Sequence, residues 1–241
     1  MMNPRLACLL LAAATSAPLI AAPPQSATNA NPVPSAWIPV GPDGGDARSF
    51  AADPKDSKHL FLGTTNSWLY ESHDGGVSWH RLTKLSPKDD LMVDNIVVDE
   101  SDPKTIYVAT WVVDHPDGAL FISHDEGKTW VKVPAMDGQS IRALAQAASN
   151  PKMLVVGTLK GIFRSEDGGM HWDAISPAGS VELHEVESIA IDPKDSKTIY
   201  AGTWHLPWKT TDGGANWRNI KQGLIDDSDV FSIIIDPTAP Q

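Results

Sequence analysis

Apolar residues in this chain come in short bursts, each closed by turn-forming residues, and no long stretch keeps the spacing of an amphipathic helix. Five bursts run into an aspartate or its equivalent: Phe50-Ala-Ala-Asp-Pro54, Ile96-Val-Val-Asp99, Leu144-Ala-Gln-Ala147, Ile189-Ala-Ile-Asp-Pro193 and Ile233-Ile-Ile-Asp-Pro237. Four of them are followed, after a Lys-containing turn, by Leu60-Phe-Leu-Gly-Thr64, Ile106-Tyr-Val-Ala-Thr110, Leu154-Val-Val-Gly-Thr158 and Ile199-Tyr-Ala-Gly-Thr203. β-Branched and aromatic runs punctuated by Pro, Asp and Gly predict short strands joined by tight turns. A third short strand and a fourth complete each unit, so the pattern predicts four strands per repeat.

The link between third and fourth strands is a recurring phrase. Ser72-His-Asp-Gly-Gly-Val-Ser-Trp79 returns as Ser123-His-Asp-Glu-Gly-Lys-Thr-Trp130, Ser165-Glu-Asp-Gly-Gly-Met-His-Trp172 and Thr210-Thr-Asp-Gly-Gly-Ala-Asn-Trp217. The tryptophans are 51, 42 and 45 residues apart, a period that belongs to solenoids and propellers. The phrase is the Asp box, and the chain resembles the BNR-repeat β-propeller proteins from about Trp37 onward. The resemblance implies an all-β propeller with four complete four-stranded blades at about 45–84, 92–134, 139–176 and 184–221. A partial fifth blade is expected at 229–241. Trp37-Ile-Pro-Val40 reads as an N-terminal closing strand, and the whole as an open arc cut from a larger ring. Since Asp74, Asp125, Asp167 and Asp212 recur in every blade, they read as clasps on a hairpin, with Trp79, Trp130, Trp172 and Trp217 packing on the sheet. Tyr107 and Tyr200, at equivalent strand positions, read as core residues.

Composition narrows the function. A formal net charge of −11 offers no basic footprint for nucleic acid or an anionic membrane. Arg5 followed by the apolar Leu6–Ala22 stretch reads as a secretory signal over residues 1–22, then a flexible leader over 23–36. The expected location is outside the cell or in the periplasm, with no membrane span in the mature chain. Cys8, the one cysteine, lies inside that signal, so no disulfide or thiolate metal ligand is expected after cleavage.

In a meander of four strands, the first and third turns share one face, which the repeated phrases mark as scaffold. The opposite face carries what is not repeated. There the loops hold Trp68, Trp111, His115, Trp204, His205 and Trp208, a set that suits sugar rings or a polypeptide partner. The starts of the innermost strands hold Arg48, Asp94, Arg142, Glu187 and Phe231 at equivalent positions, the first four alternating in sign. Two readings follow: a belt of ion pairs between blades, or a polar site in which Arg48 and Arg142 bind anionic or hydroxyl groups.

Asp-box propellers include sialidases, xyloglucan-active endoglucanases, sorting-receptor ectodomains and photosystem II assembly factors. A sialidase implies an arginine cluster and a tyrosine–glutamate pair, whereas this chain has Arg48, Arg142 and few other propeller arginines, no Arg-Ile-Pro phrase, and tyrosine only in or beside repeated strands. A glycosidase needs two carboxylic acids about 5–10 Å apart, for which Asp94 and Glu187 are candidates. No His-Glu-x-x-His phrase, phosphate loop or dinucleotide fingerprint occurs, and neither a metal nor a cofactor is expected. The leading reading is an exported domain binding a carbohydrate or polypeptide through its non-repeated loop face, and the alternative is a BNR-repeat glycoside hydrolase, sialidase-like or glucan-active, with an incomplete active site in this chain.

Overall fold

The computed structural model describes residues 41–42, 46–226 and 228–240. The expected signal, leader and closing strand lie outside the described residues.

Four antiparallel sheets follow one another along the chain, each a simple meander of four strands. The first contains β1 (Ala47–Asp53), β2 (Asp56–Thr64), β3 (Trp68–Ser72) and β4 (His80–Lys84). The second contains β5 (Leu91–Val98), β6 (Ile106–Val112), β7 (Gly118–Ser123) and β8 (Val131–Lys132). The third contains β9 (Ile141–Ala147), β10 (Asn150–Thr158), β11 (Gly161–Ser165) and β12 (Asp173–Ala174). The fourth contains β13 (Val186–Ile191), β14 (Ile199–Thr203), β15 (Leu206–Thr210) and β16 (Arg218–Asn219). These are propeller blades. The one helical element among the described residues is a single 3₁₀ turn, Pro134–Met136.

The core lies between blades rather than inside them. Phe61 and Leu69 of the first blade meet Val93, Ile106 and Val108 of the second. Tyr107, Leu120 and Ile122 of the second meet Ile141, Leu154 and Val156 of the third. Val155 and Ile162 of the third meet Val186, Ile199 and Ala201 of the fourth. The Asp-box tryptophans Trp130, Trp172 and Trp217 each pack onto the interface with the preceding blade. Tyr107 is accordingly buried, whereas Tyr200 is half-buried with the Lys209 ammonium 4.6 Å from its ring centroid.

Close approach of neighbouring blades requires a small residue in each second strand. A Cβ on Gly63 would lie 2.3 Å from Ser49 Oγ and 2.7 Å from the Val93 carbonyl, and one on Gly202 would lie 2.3 Å from both Ser188 Oγ and the Val230 carbonyl. Ser49 and Ser188 fill that narrow space by donating to those same carbonyls, Val93 O at 2.6 Å and Val230 O at 2.9 Å. Where the second blade has Ala109, paired with Asn95, the longer amide reaches across to the Arg142 carbonyl at 2.9 Å.

Each Asp box is a closed hydrogen-bond unit. Asp125 Oδ1 accepts from Ser123 Oγ at 2.8 Å and from the Thr129 amide at 2.8 Å, and its Oδ2 accepts from Thr129 Oγ1 at 2.6 Å. Ser78, His171 and Asn216 take the place of Thr129 in the other boxes. The Gly127 amide donates to Ser123 Oγ at 2.8 Å, and Gly127 has φ 82°, which glycine adopts without strain. The first and third turns do share a face: the amides of Gly75, Glu126, Gly168 and Gly213 donate to the carbonyls of Lys58, Lys104, Lys152 and Lys197.

Residues 230–237, expected to open a fifth blade, make no ladder among the described residues. Val230 nevertheless takes the inner-strand place beside the fourth blade, its amide donating to the Thr203 carbonyl at 2.9 Å.

Two outcomes test this account. Gly63→Ala should lower stability by about 1–3 kcal/mol in urea titration, because the new methyl collides with backbone of the next blade; an unchanged midpoint would mean the blades are not tightly apposed there. The second concerns acid. Hydrogen bonds from Thr129, side chain first and amide next, hold Asp125 at about 2, and Asn216 does the same for Asp212. Asp74 and Asp167 are lowered further by Ser78 and His171. A carboxyl lowered on folding adds stability above its unfolded value, 3.8, and that stability is lost as pH falls through the folded value. Stability should therefore drop between about pH 4 and about pH 2, and Asp125→Asn should flatten that slope. An equally steep slope in the variant would remove the Asp box from the explanation.

Candidate functional site

The non-repeated face is built by the second turns and the links between blades. Its backbone is anchored by one threonine per blade: Thr64, Thr110, Thr158 and Thr203 are fully buried. Their hydroxyls donate to the carbonyls of Trp68, Ala119, Gly161 and Leu206 at 2.9–3.1 Å. The recurrence of Thr at the end of every second strand was visible in the sequence, but its role as turn anchor was not.

The starts of the inner strands come together as a cleft of about 290 Å³ lined by Arg48, Asp94, Asn95, Arg142, Glu187 and Phe231. Arg48 Nε lies 2.5 Å from Asp94 Oδ1, joining the first and second blades. Arg142 Nη1 lies 3.3 Å from Glu187 Oε1, joining the third and fourth. Both pairs span neighbouring blades, as an alternating belt requires. Asp94 and Glu187, the candidate acid pair, are thus each faced by a guanidinium, and both side chains are largely covered, with 13% and 10% exposed.

Two tryptophans join this cluster and differ in what they offer. Trp204 lies in the turn between β14 and β15 and is 44% exposed. Its Nε1 donates to Glu187 Oε1 at 2.8 Å, which fixes the indole while leaving ring surface in solvent. Trp111 follows Thr110 as Trp204 follows Thr203, yet it lies within β6, paired with Met92 and Gly118, and not in a loop. The β6–β7 loop is longer, so the strand continues past the threonine. The Arg142 guanidinium sits 3.7 Å from the Trp111 ring centroid and that of Arg48 5.7 Å away, so cations already cover the indole. Trp111 Nε1 is buried without a hydrogen-bond partner among the described residues.

The other expected loop residues fall elsewhere. Trp208 lies within β15, paired with Ala201 and Asn219, and packs against the interface between third and fourth blades. Its register makes it the counterpart of Phe121 and Phe163, so it is a half-buried strand side chain packed on the core and not a loop residue. Trp68 is the first residue of β3, with Arg81 4.8 Å and Lys84 5.8 Å from its ring centroid, cations of its own blade. His115 is exposed on the β6–β7 loop, 3.5 Å from Asp117. His205 stands beside His184, their ring centroids 5.4 Å apart.

Comparison with known proteins agrees with this architecture. The family model for the BNR/Asp-box repeat matches residues 70–81, and the model described as sortilin, neurotensin receptor 3, matches residues 118–227. A xyloglucanase of Paenibacillus sp. is 30% identical over 244 residues, covering 79% of this chain and 23% of the relative. A probable oligoxyloglucan-reducing end-specific xyloglucanase of Neosartorya fischeri is 27% identical over 199 residues, covering 73% of this chain and 24% of the relative. The chain spans about a quarter of the length of the curated relatives it matches. Among solved structures, an ancestral GH74 enzyme superposes with a TM-score of 0.63 at 23% identity, over 76% of this chain and 25% of that one. The GH74 xyloglucanase from Xanthomonas campestris gives 0.59 at 21%, over 76% and 31%. Repeats, sheet order and these likenesses converge: the chain is a BNR/Asp-box repeat protein folded as β-propeller blades.

Proposed function

We propose that the protein is a carbohydrate-active propeller of the glycoside-hydrolase kind, acting on a xyloglucan-like β-glucan. The alternative reading of the sequence thereby takes precedence over the pure binding module. The observation that carries it is the half-exposed indole of Trp204, pinned by Glu187 beside Arg142 on the face that the repeats leave free. Sugar rings stack on a fixed aromatic face and hydrogen-bond to charged side chains at its edge. The curated relatives named as xyloglucanases supply the polysaccharide class.

Within this reading Trp204 is the platform, Arg142 and Arg48 bind hydroxyl groups, and Glu187 positions the indole. Asp94 and Glu187 are both engaged by arginines, an arrangement that suits anchoring a sugar better than donating a proton to it. The N-terminal stretch from Arg5 to Ala22 adds an export signal, which brings the protein to an extracellular polysaccharide.

Affinity electrophoresis in xyloglucan gels, with reducing-sugar assays on the same polymer, tests the proposal. Trp204→Ala should weaken retardation by about 1–3 kcal/mol with little change in melting temperature. Trp208→Ala should instead lower stability, by about 2 kcal/mol or more. Sugar release supports the hydrolase, and retardation without release reduces the proposal to a binding module. Neither retardation nor release from xyloglucan, mixed-linkage glucan or cellulose would overturn it.

A further inference from the structure

A second constellation on the same face is independent of the sugar reading. His184 and Glu185 lie in the link before β13, and His205 lies in the turn between β14 and β15. The ladder between β13 and β14 ends at Val186↔Thr203, which brings the link before β13 beside the turn that holds His205. One carboxylate oxygen, Glu185 Oε2, faces both rings, 3.3 Å from His184 Nδ1 and 3.5 Å from His205 Nε2. We propose that His184, Glu185 and His205 form a binding site for a divalent transition metal ion of the zinc class.

The distances fit joint coordination of one ion, although ion pairs of this chain such as Arg142–Glu187 span the same 3.3 Å. A good N–H···O bond is about 2.9 Å, shorter than either contact. Ligand atoms at about 2.0–2.1 Å from a tetrahedral ion lie roughly 3.3–3.5 Å from one another. Ring orientation agrees. Two imidazoles bound to one such ion have centroids about 5 Å apart and planes that intersect at the ion. The His184 and His205 rings are 5.4 Å apart at 76°.

The ligands are also held in place from both sides. His184 and Glu185 stand between Leu183 and Val186, which are 2% and 0% exposed. The Glu185 amide donates to the Leu159 carbonyl at 3.2 Å. Glu185 has φ 50°, a left-handed conformation that a non-glycine residue adopts at some cost and that turns its side chain between the two histidines. The His205 amide donates at 2.9 Å to Thr203 Oγ1, itself fully buried. A cleft of about 500 Å³ opens against His205, leaving room for a fourth ligand such as water. Two imidazoles and one carboxylate select zinc, cobalt, nickel or copper over calcium and magnesium, which prefer all-oxygen shells. A bound ion would brace the turn that carries Trp204.

The first blade supplies an internal comparison. His59, Glu71 and His73 also lie together, but the His59 and His73 rings stack at 20° with centroids 4.4 Å apart. Rings stacked face to face at that separation cannot both aim an in-plane lone pair at one ion.

The test is titration of the full chain with Co²⁺, read by the visible absorption of a tetrahedral ion, and with Zn²⁺ by calorimetry. The proposal expects one equivalent bound, with affinity reduced about 100-fold or more in His184→Ala and in His205→Ala. His73→Ala should bind as the natural chain does. Melting in the presence of chelator should be alike in all four, which separates metal loss from misfolding. Should a variant prove unfolded, His184→Gln and His205→Gln provide the same readout. The proposal is overturned if the natural chain binds no metal, if the doubly substituted chain binds it undiminished, or if only His73→Ala abolishes binding.

Discussion

Everything in this molecule depends on apolar contact between consecutive blades. A meander whose outermost strand is two to five residues long has no interior of its own. Its buried side chains, such as Leu120, Leu154 and Ile199, complete their packing across the gap to an adjacent sheet. A repeat of this kind is stable because its neighbour covers it, so the stack behaves as a sequence of interfaces. That explains why the second strands are held to glycine or alanine at Gly63, Ala109, Gly157 and Gly202, where neighbouring backbones come nearest. It also explains why the indoles of Trp130, Trp172 and Trp217 lie against the preceding blade; Trp217 Nε1 even donates to the Ile175 carbonyl, in the link that leaves the third blade.

That constraint divides the surface. Packing and turn closure occupy the Asp-box edge, where aspartate, hydroxyl and glycine recur almost unchanged. The opposite edge needs only its threonine anchors, so the residues between them are free to differ. Inner strands lie side by side, and their first residues therefore meet across blades although they are some 45 positions apart in sequence. Chemistry gathers there because the scaffold makes no demand on it.

The fold was legible because a repeat is its own control. Asp74, Asp125, Asp167 and Asp212 explain one another, and so do the four Gly-Thr or Ala-Thr strand ends. The site was only partly legible. The belt of Arg48, Asp94, Arg142 and Glu187 could be read from repeat equivalence alone. Trp204 lies in the turn where the sequence placed it, but Trp111 and Trp208 do not lie in loops, because the lengths of the second turns vary from blade to blade. In the fourth blade β15 begins at Leu206, whose φ of 104° ends the turn early, so Trp208 falls within the strand and packs half-buried against the core. In the second blade a longer loop lets β6 extend through Trp111. His184 and His205 were each visible as loop histidines. Their meeting depends on strand register, which no local pattern specifies.

Arg142 shows how far the site departs from what packing alone requires. Its guanidinium lies on Trp111 of the second blade and pairs with Glu187 of the fourth, while its own backbone belongs to the third. Removing such a charge from water is costly, and a partly buried ion pair returns little net stability. An apolar residue could fill the space between blades at least as well. What the arginine adds is position: it holds Glu187, and Glu187 holds the Trp204 indole. Three blades are thereby coupled to one exposed aromatic ring. Such coupling orders the ring in advance of binding, which is what the carbohydrate-binding role proposed above would use.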